Sequence, residues 1–377
     1  MSVVRVLAAV LGALVVVATG WSVIGTVVVP RRVHSVITRS VARGVNWVFE
    51  RVADVVGPSY ERRDRVLAFQ GPVQLIVQLG AWLALFELGF GLLLWPFVHV
   101  LRDCFEQAAS SLTTLGIVPS ASGRQTAVDV LAGFAGLGTV ALQIGYLPTL
   151  YAAFNRRETL VTMLDSRGSV PSWGPELLAR THYGLGSGVS AVSELPDLFD
   201  QWESWSADVQ ESHSTYTTLI RFRSPRALSN WVTAQLAVMD AAAMYLALLP
   251  SAPRPISARL CLRGGFTCLT TIARALRIPV PEDADPAQGI SLTYEEFEAA
   301  VDRLRAVNFP IERSTEEAWL DFLGWRVNYE QAAYALAWVV DAPPALWSGP
   351  RRRGDRPMAP ERPLLRKATK DPKQVDR

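Results

Sequence analysis

The stretch DCFEQAASSLTTLGIVPSASGRQ, residues 103–125, lies between two long apolar runs and decides how the chain is read. Phe105, Ala108, Ala109 and Leu112 recur at helical spacing, and Thr113-Thr114-Leu115-Gly116-Ile117 then breaks the pattern. Val118-Pro119 and a polar turn of Ser120, Ser122 and Gly123 follow. A short apolar helix, a Thr-Thr-x-Gly strand and a return loop together predict a re-entrant hairpin. Non-helical backbone at membrane depth is tolerated only where protein buries it or water lines it. There, threonine hydroxyls and carbonyl oxygens can replace an ion's hydration shell. The C-terminal end of a short helix also turns partial negative charge towards a cation.

The flanking runs make the membrane setting concrete. Charged residues are 19% of the 377 residues, against about 25% in soluble domains. Val6 to Val29 carries no charge and is long enough to cross a hydrocarbon core of about 30 Å. It also outruns the apolar region of a cleaved signal peptide, about 7–15 residues, so a retained helix is expected. A second span covers Val73 to Leu101, with the single carboxylate Glu87 inside it, and a third covers Val130 to Phe154. An intramembrane carboxylate is a functional candidate by default, against the plainer reading of a neutral, hydrogen-bonded side chain. Asp129, at the outer end of the third span, reads as a helix N-terminal charge.

Arginine placement predicts the orientation. Arg31, Arg32, Arg39, Arg43, Arg51, Arg62, Arg63 and Arg65 separate the first two spans, and Arg156-Arg157 closes the third. Only Arg102 and Arg124 separate the second from the third. Positive residues stay in the cytoplasm. The expectation is a multi-pass protein of the plasma (inner) membrane, with the N-terminus outside, residues 31–70 inside, 102–125 outside, and everything after 155 cytoplasmic. Within residues 33–56, Val33, Val36, Ile37 and Val41 fit an amphipathic helix on the inner leaflet or an ordinary linker helix.

From about Val73 to Glu158 the order of segments resembles the two-helix pore unit of the potassium channel superfamily: outer helix, pore helix, filter, inner helix. Thr113-Thr114-Leu115-Gly116-Ile117 sits where that family places T-T-V-G-Y. The resemblance implies an ion filter at Thr113, Thr114, Leu115, Gly116 and Ile117, a homo-tetramer, and a monovalent cation as the permeant species. Separately, Trp202-x-x-Trp205, Glu211-Ser212-His213 and Phe222-Arg223-Ser224-Pro225 resemble a region of bacterial channel-like membrane proteins. The third span fits the inner helix, and Gly145 and Pro148 fit a gating hinge, since proline kinks a helix. The sequence departs from the family at Val118, where a second filter glycine would fall. Filter glycines reach positive φ without a Cβ clash, so the filter is expected to be built differently and the ion is left open.

The rest predicts an attached cytoplasmic helical domain. Thr293 with Glu296 and Ser314 with Glu317 are capping boxes that start helices near Tyr294 and Thr315. Trp319, Phe322, Leu323, Val327, Gln331 and Tyr334 continue at helical spacing. Trp231 to Leu249 is apolar apart from Asp240. A central Asp costs about 2.5–3.5 kcal/mol to insert, so a buried helix is expected rather than a fourth span. His182 and His213 lack partners at motif spacing and read as core residues. The run Gly184-x-Gly186-x-Gly188 lacks a preceding strand and is no nucleotide fingerprint. Cys104, Cys261 and Cys268 lack metal-ligand spacing and read as buried thiols. Residues 347–377 carry ten basic and four acidic side chains with repeated prolines, the composition of a solvated tail.

The expected fold is therefore all-α: membrane helices with a re-entrant pore hairpin, plus a cytoplasmic helical domain. The divisions are 1–30, first transmembrane helix; 31–72, amphipathic linker; 73–158, pore unit; 159–346, helical domain; 347–377, disordered basic tail. No cofactor, metal or catalytic constellation is indicated, the net charge of +2 favours no nucleic acid, and an enzyme is not expected. The partners are the lipid bilayer and further copies of the chain. A membrane-anchored, non-conducting scaffold or sensor is the alternative function.

Overall fold

The computed structural model describes residues 3–29, 35–183, 192–281 and 289–361. Arg31, Arg32, the glycine run at 184–188 and residues 362–377 lie outside these, as does the side chain of His182. Among the described residues the fold is all-helical, with two isolated bridge pairs and no strand. Four helical stretches are long and apolar enough to cross a membrane: Val3–Val27, Tyr60–Leu94, Gly123–Arg167 and Trp231–Leu248. That fits a membrane protein. The expected Thr-Thr-x-Gly strand does not form; residues 113–122 are turn and irregular backbone.

Two compact units divide the chain: Met1–Arg156 with Glu211–Arg223, and Arg157–Gln210 with Ser224–Arg377. The first holds α1 (Val3–Val27), α2 (Val36–Val56), α3 (Tyr60–Leu67), α4 (Gln70–Leu94), α5 (Leu101–Leu112) and most of α6 (Gly123–Arg167). The side chain of Ser35 caps α2 by accepting from the amides of Ile37 and Thr38. Helix α4 stops at Leu94, short of the Leu101 expected, because Pro96 has no amide to donate to a continuing helix. A new helix, α5, then begins at Leu101.

Close backbone approach holds α1 to α4. A Cβ added to Gly12 would stand 2.5 Å from the carbonyl oxygen of Gly89, so only glycine fits there. Trp82 of α4 donates its indole N–H to Ser22 of α1 at 3.0 Å, and Ser35 donates to the same hydroxyl at 2.6 Å. Val23, Trp82, Phe86, Phe90, Leu94, Cys104, Ala108, Leu112 and Ala132 form the core of this part.

The second unit is built around α9 (Trp231–Leu248), after α7 (Gly174–Ala179) and most of α8 (Leu195–Thr215). All of α9 but Leu246 is buried. Around it come α10 (Pro255–Ala275), α11 (Tyr294–Arg305), α12 (Thr315–Arg326) and α13 (Glu330–Val339). Both capping boxes form, and α11 and α12 start at Tyr294 and Thr315 as their spacing predicts. The periodic run from Trp319 to Tyr334 is broken at residues 327–329 into two helices rather than continuing as one. Burial pushes the thiols of Cys261 and Cys268 upward, keeping them protonated.

Asp240, midway along α9, meets Arg326, whose side chain is fully buried. The guanidinium donates to Asp240 at 2.5 Å, Glu330 at 2.7 Å, Tyr334 at 2.9 Å and the Trp347 carbonyl at 2.6 Å. Tyr329 donates to Asp240 at 2.9 Å. The first part of the supposed tail corrects the sequence reading. Arg351 is buried, donating to the carbonyls of Ala342 at 2.7 Å, Pro343 at 2.8 Å and Ser348 at 2.8 Å. Those acceptors pin residues 347–351 to the second unit, an arrangement that composition does not report.

Arg326→Met leaves Asp240 and Glu330 buried without their cation. The expected cost is about 3–5 kcal/mol, read as a lower denaturant midpoint in the near-ultraviolet dichroism of the purified chain. Adding Asp240→Leu should recover part of that loss; a double variant as weak as the sum of the singles would refute the pairing.

Candidate functional site

The loop between α5 and α6 gathers the candidate filter residues. Helix α5 ends at Leu112, and Thr113 takes an αR cap conformation with its hydroxyl donating to the Ala109 carbonyl at 2.7 Å. Thr114 then turns to φ 58° and Gly116 to φ 64°. A pair of αR and αL residues points successive amides to one side. Here that side is Ser110. Leu115 and Gly116 donate to its carbonyl oxygen at 3.0 and 3.4 Å. Ile117 and Val118 donate to its hydroxyl at 2.8 and 3.1 Å. Among the described residues, no hydrogen bond reaches the carbonyl oxygens of residues 113–119. Leu115 and Ile117 are exposed at 66% and 72%.

Asp129, near the start of α6, ties the loop down from the other side. It accepts from Gln107 at 2.8 Å, Ser111 at 2.9 Å and Ser120 at 2.5 Å. The carboxylate read as a plain helix-end charge is thus the hub of three polar contacts. Ser110 was not singled out by the sequence. Gln107, Ser110 and Ser111 lie one turn apart on a helix that also carries Arg102, Asp103 and Glu106, so no polar stripe sets Ser110 apart in the sequence. A Cβ on Gly136 would collide with the Leu112 carbonyl, so α6 passes close under the end of α5.

The other candidates lie elsewhere in the first unit. Glu87 is half-buried on α4, and among the described residues it has no hydrogen-bond or ion-pair partner. Gly145 and Pro148 are both exposed inside α6, and open space surrounds Gly145. The α6 turns around them are packed by the segment Glu211–Arg223. Tyr216 meets Tyr146 edge-on at 5.5 Å, and Phe222 lies 5.8 Å from Phe154 and closes over Gly71. Arg223 donates to Asp64 at 2.5 Å and to Tyr60 at 3.2 Å. His213 is buried with its Nδ1 3.0 Å from the Ser212 hydroxyl, as a core histidine would be.

Three glutamines on α4 escaped the sequence reading. Gln70, Gln74 and Gln78 repeat every four residues and are all buried. Gln70 donates to Asn46 at 2.7 Å and Gln74 to Thr218 at 3.4 Å. Neither polar atom of Gln78 meets a partner.

No family model matches the chain, and neither a curated protein nor a solved structure matches it.

Ser110→Ala removes the acceptor of two amides and leaves both unsatisfied, at an expected cost of about 1–3 kcal/mol confined to the loop. Exchange of the Ile117 and Val118 amides should rise about tenfold to hundredfold in hydrogen-exchange mass spectrometry, with the remaining helices unchanged.

Proposed function

We propose that the chain is a channel-like membrane protein in which several copies, four by resemblance to the potassium channel superfamily, surround a pathway for a monovalent cation. The observation that supports this reading is the loop at 113–118. The amides of residues 115–118 are taken up by Ser110, and among the described residues the carbonyl oxygens of the loop are left without protein donors. Unclaimed carbonyls are the groups that replace an ion's hydration shell. In this reading α4, α5 and α6 act as outer, pore and inner helices. The segment 103–125 dips into the bilayer from the outer side. The N-terminus lies outside, the second unit lies in the cytoplasm and gates or assembles the pore, and Gly145 and Pro148 serve as the hinge. The helix Trp231–Leu248 is then a core helix of the cytoplasmic unit rather than a fourth span, since Asp240 at its middle is paired inside protein.

A second reading is a membrane-anchored scaffold or sensor that does not conduct. Val118 favours it, because its φ is not positive and the loop closes as a compact turn on Ser110.

Planar-bilayer recording of the purified chain separates the two. The channel reading expects unitary cation currents and an oligomer by light scattering. Gly116→Val should abolish the current without changing oligomer size, because a β-branched residue is strained at φ 64°. A monomer that passes no current at any voltage would leave only the scaffold.

A further inference from the structure

The outward face of α13 carries Tyr334, Ala335, Trp338 and Val339. With Ile278 and Ile290 opposite, it lines a cavity of about 710 Å³ in the second unit. That is within the range of about 300–1,000 Å³ typical of small-molecule sites, which pair apolar walls with few polar groups. The charged group of the lining is Glu330, only 5% exposed, beside the polar side chains of Ser291, Gln331 and Tyr334. One of its oxygens accepts from Arg326 at 2.7 Å and the other from the amide of Ser291. Arg326 is shared with Asp240, whose remaining partner is the neutral hydroxyl of Tyr329. Two carboxylates therefore face one guanidinium, and among the described residues no second cation completes the cluster.

We propose that this cavity binds a small organic monocation, a quaternary or primary ammonium carried on an apolar body. The ammonium supplies the charge that the cluster at the cavity's edge lacks. An anion meets the opposite field, and a neutral ligand gains only the apolar contacts. The Trp338 ring, 38% exposed on the cavity wall, offers a π-face to the cation, and Ile278 and Ile290 receive the apolar body. The inference rests on the second unit alone and stands whether or not the first unit conducts.

The test is calorimetric titration of the full chain in a nonionic detergent with benzyltrimethylammonium, against benzyl alcohol and phenylacetate as neutral and anionic probes of similar shape. The expected result is saturable binding of one cation per chain, at least tenfold tighter than either comparator. Trp338→Ala and Ala335→Trp both lie on the solvent side of α13 and leave the core intact. The first removes the π-face and the second fills the cavity, and each should weaken the cation at least tenfold. Equal affinity for benzyl alcohol, preference for phenylacetate, unchanged binding in both variants, or no saturable binding at millimolar cation overturns the proposal.

Discussion

The burial of Arg326 beside Asp240 decides what the apolar helix Trp231–Leu248 can be. A carboxylate in the middle of a hydrocarbon-length helix is expensive in lipid and nearly as expensive in a dry protein core. It becomes tolerable only when a cation with several donors is brought to it. Arg326 brings five, and its planar fork reaches two carboxylates, a tyrosine hydroxyl and the Trp347 carbonyl at once. The helix is therefore surrounded by its own unit, with Arg326 of α12 bonded both to it and to Glu330 of α13. Arg303 serves Glu176 in the same manner, at 3.1 Å in a site where the carboxylate is fully buried. The second unit is thus organised by buried ion pairs inside an otherwise apolar shell.

The first unit solves the opposite problem. Helices α1 and α4 carry one charged residue each, and apolar side chains alone give little preference for helix over lipid as a neighbour. Contact between α1 and α4 comes from the Gly12–Gly89 pair, which lets the backbones touch, with Trp82 bonded to Ser22 across the gap and Ser35, the cap of α2, bonded to the same hydroxyl. Such contacts are directional and short, so they fix register as well as proximity. Gln78 is the exception, a buried amide with all of its donors and acceptors idle. A buried amide without partners costs about 1–3 kcal/mol, and water is the natural occupant of so polar a spot.

Much of this was legible in the sequence, and the rest was hidden for identifiable reasons. Charge-free runs and capping boxes depend on neighbours within a few residues, so α1, α11 and α12 fell where their sequences put them. The end of α4 was also local, since Pro96 was visible, but the apolar run continued past it and masked the stop. The Arg351 anchor was not local in character. Composition counts prolines and charges and cannot register that the carbonyls of residues 342, 343 and 348 converge on one guanidinium. Ser110 and Asp129 were hidden for the same reason. Each is an ordinary residue on its own helix, and its role appears only when the chain returns to it after a turn.

That return bears directly on Val118. Comparison with a two-glycine filter makes this valine look disqualifying, because β-branched residues resist positive φ. In this loop the valine meets no such demand. The positive φ values fall on Thr114 and Gly116, two residues apart, and Val118 keeps an ordinary backbone while its amide still reaches Ser110. The strain falls on Thr114, itself β-branched, at about 1–3 kcal/mol. Its surroundings offset that: the Thr114 amide bonds to the Ser111 carbonyl at 3.0 Å, and the next four amides are held by Ser110. The Thr114 amide on the Ser111 carbonyl and the Leu115 amide on the Ser110 carbonyl are the bonds that close many helices on a left-handed residue; what this loop adds is the Ser110 hydroxyl, which holds the Ile117 and Val118 amides beyond that closure.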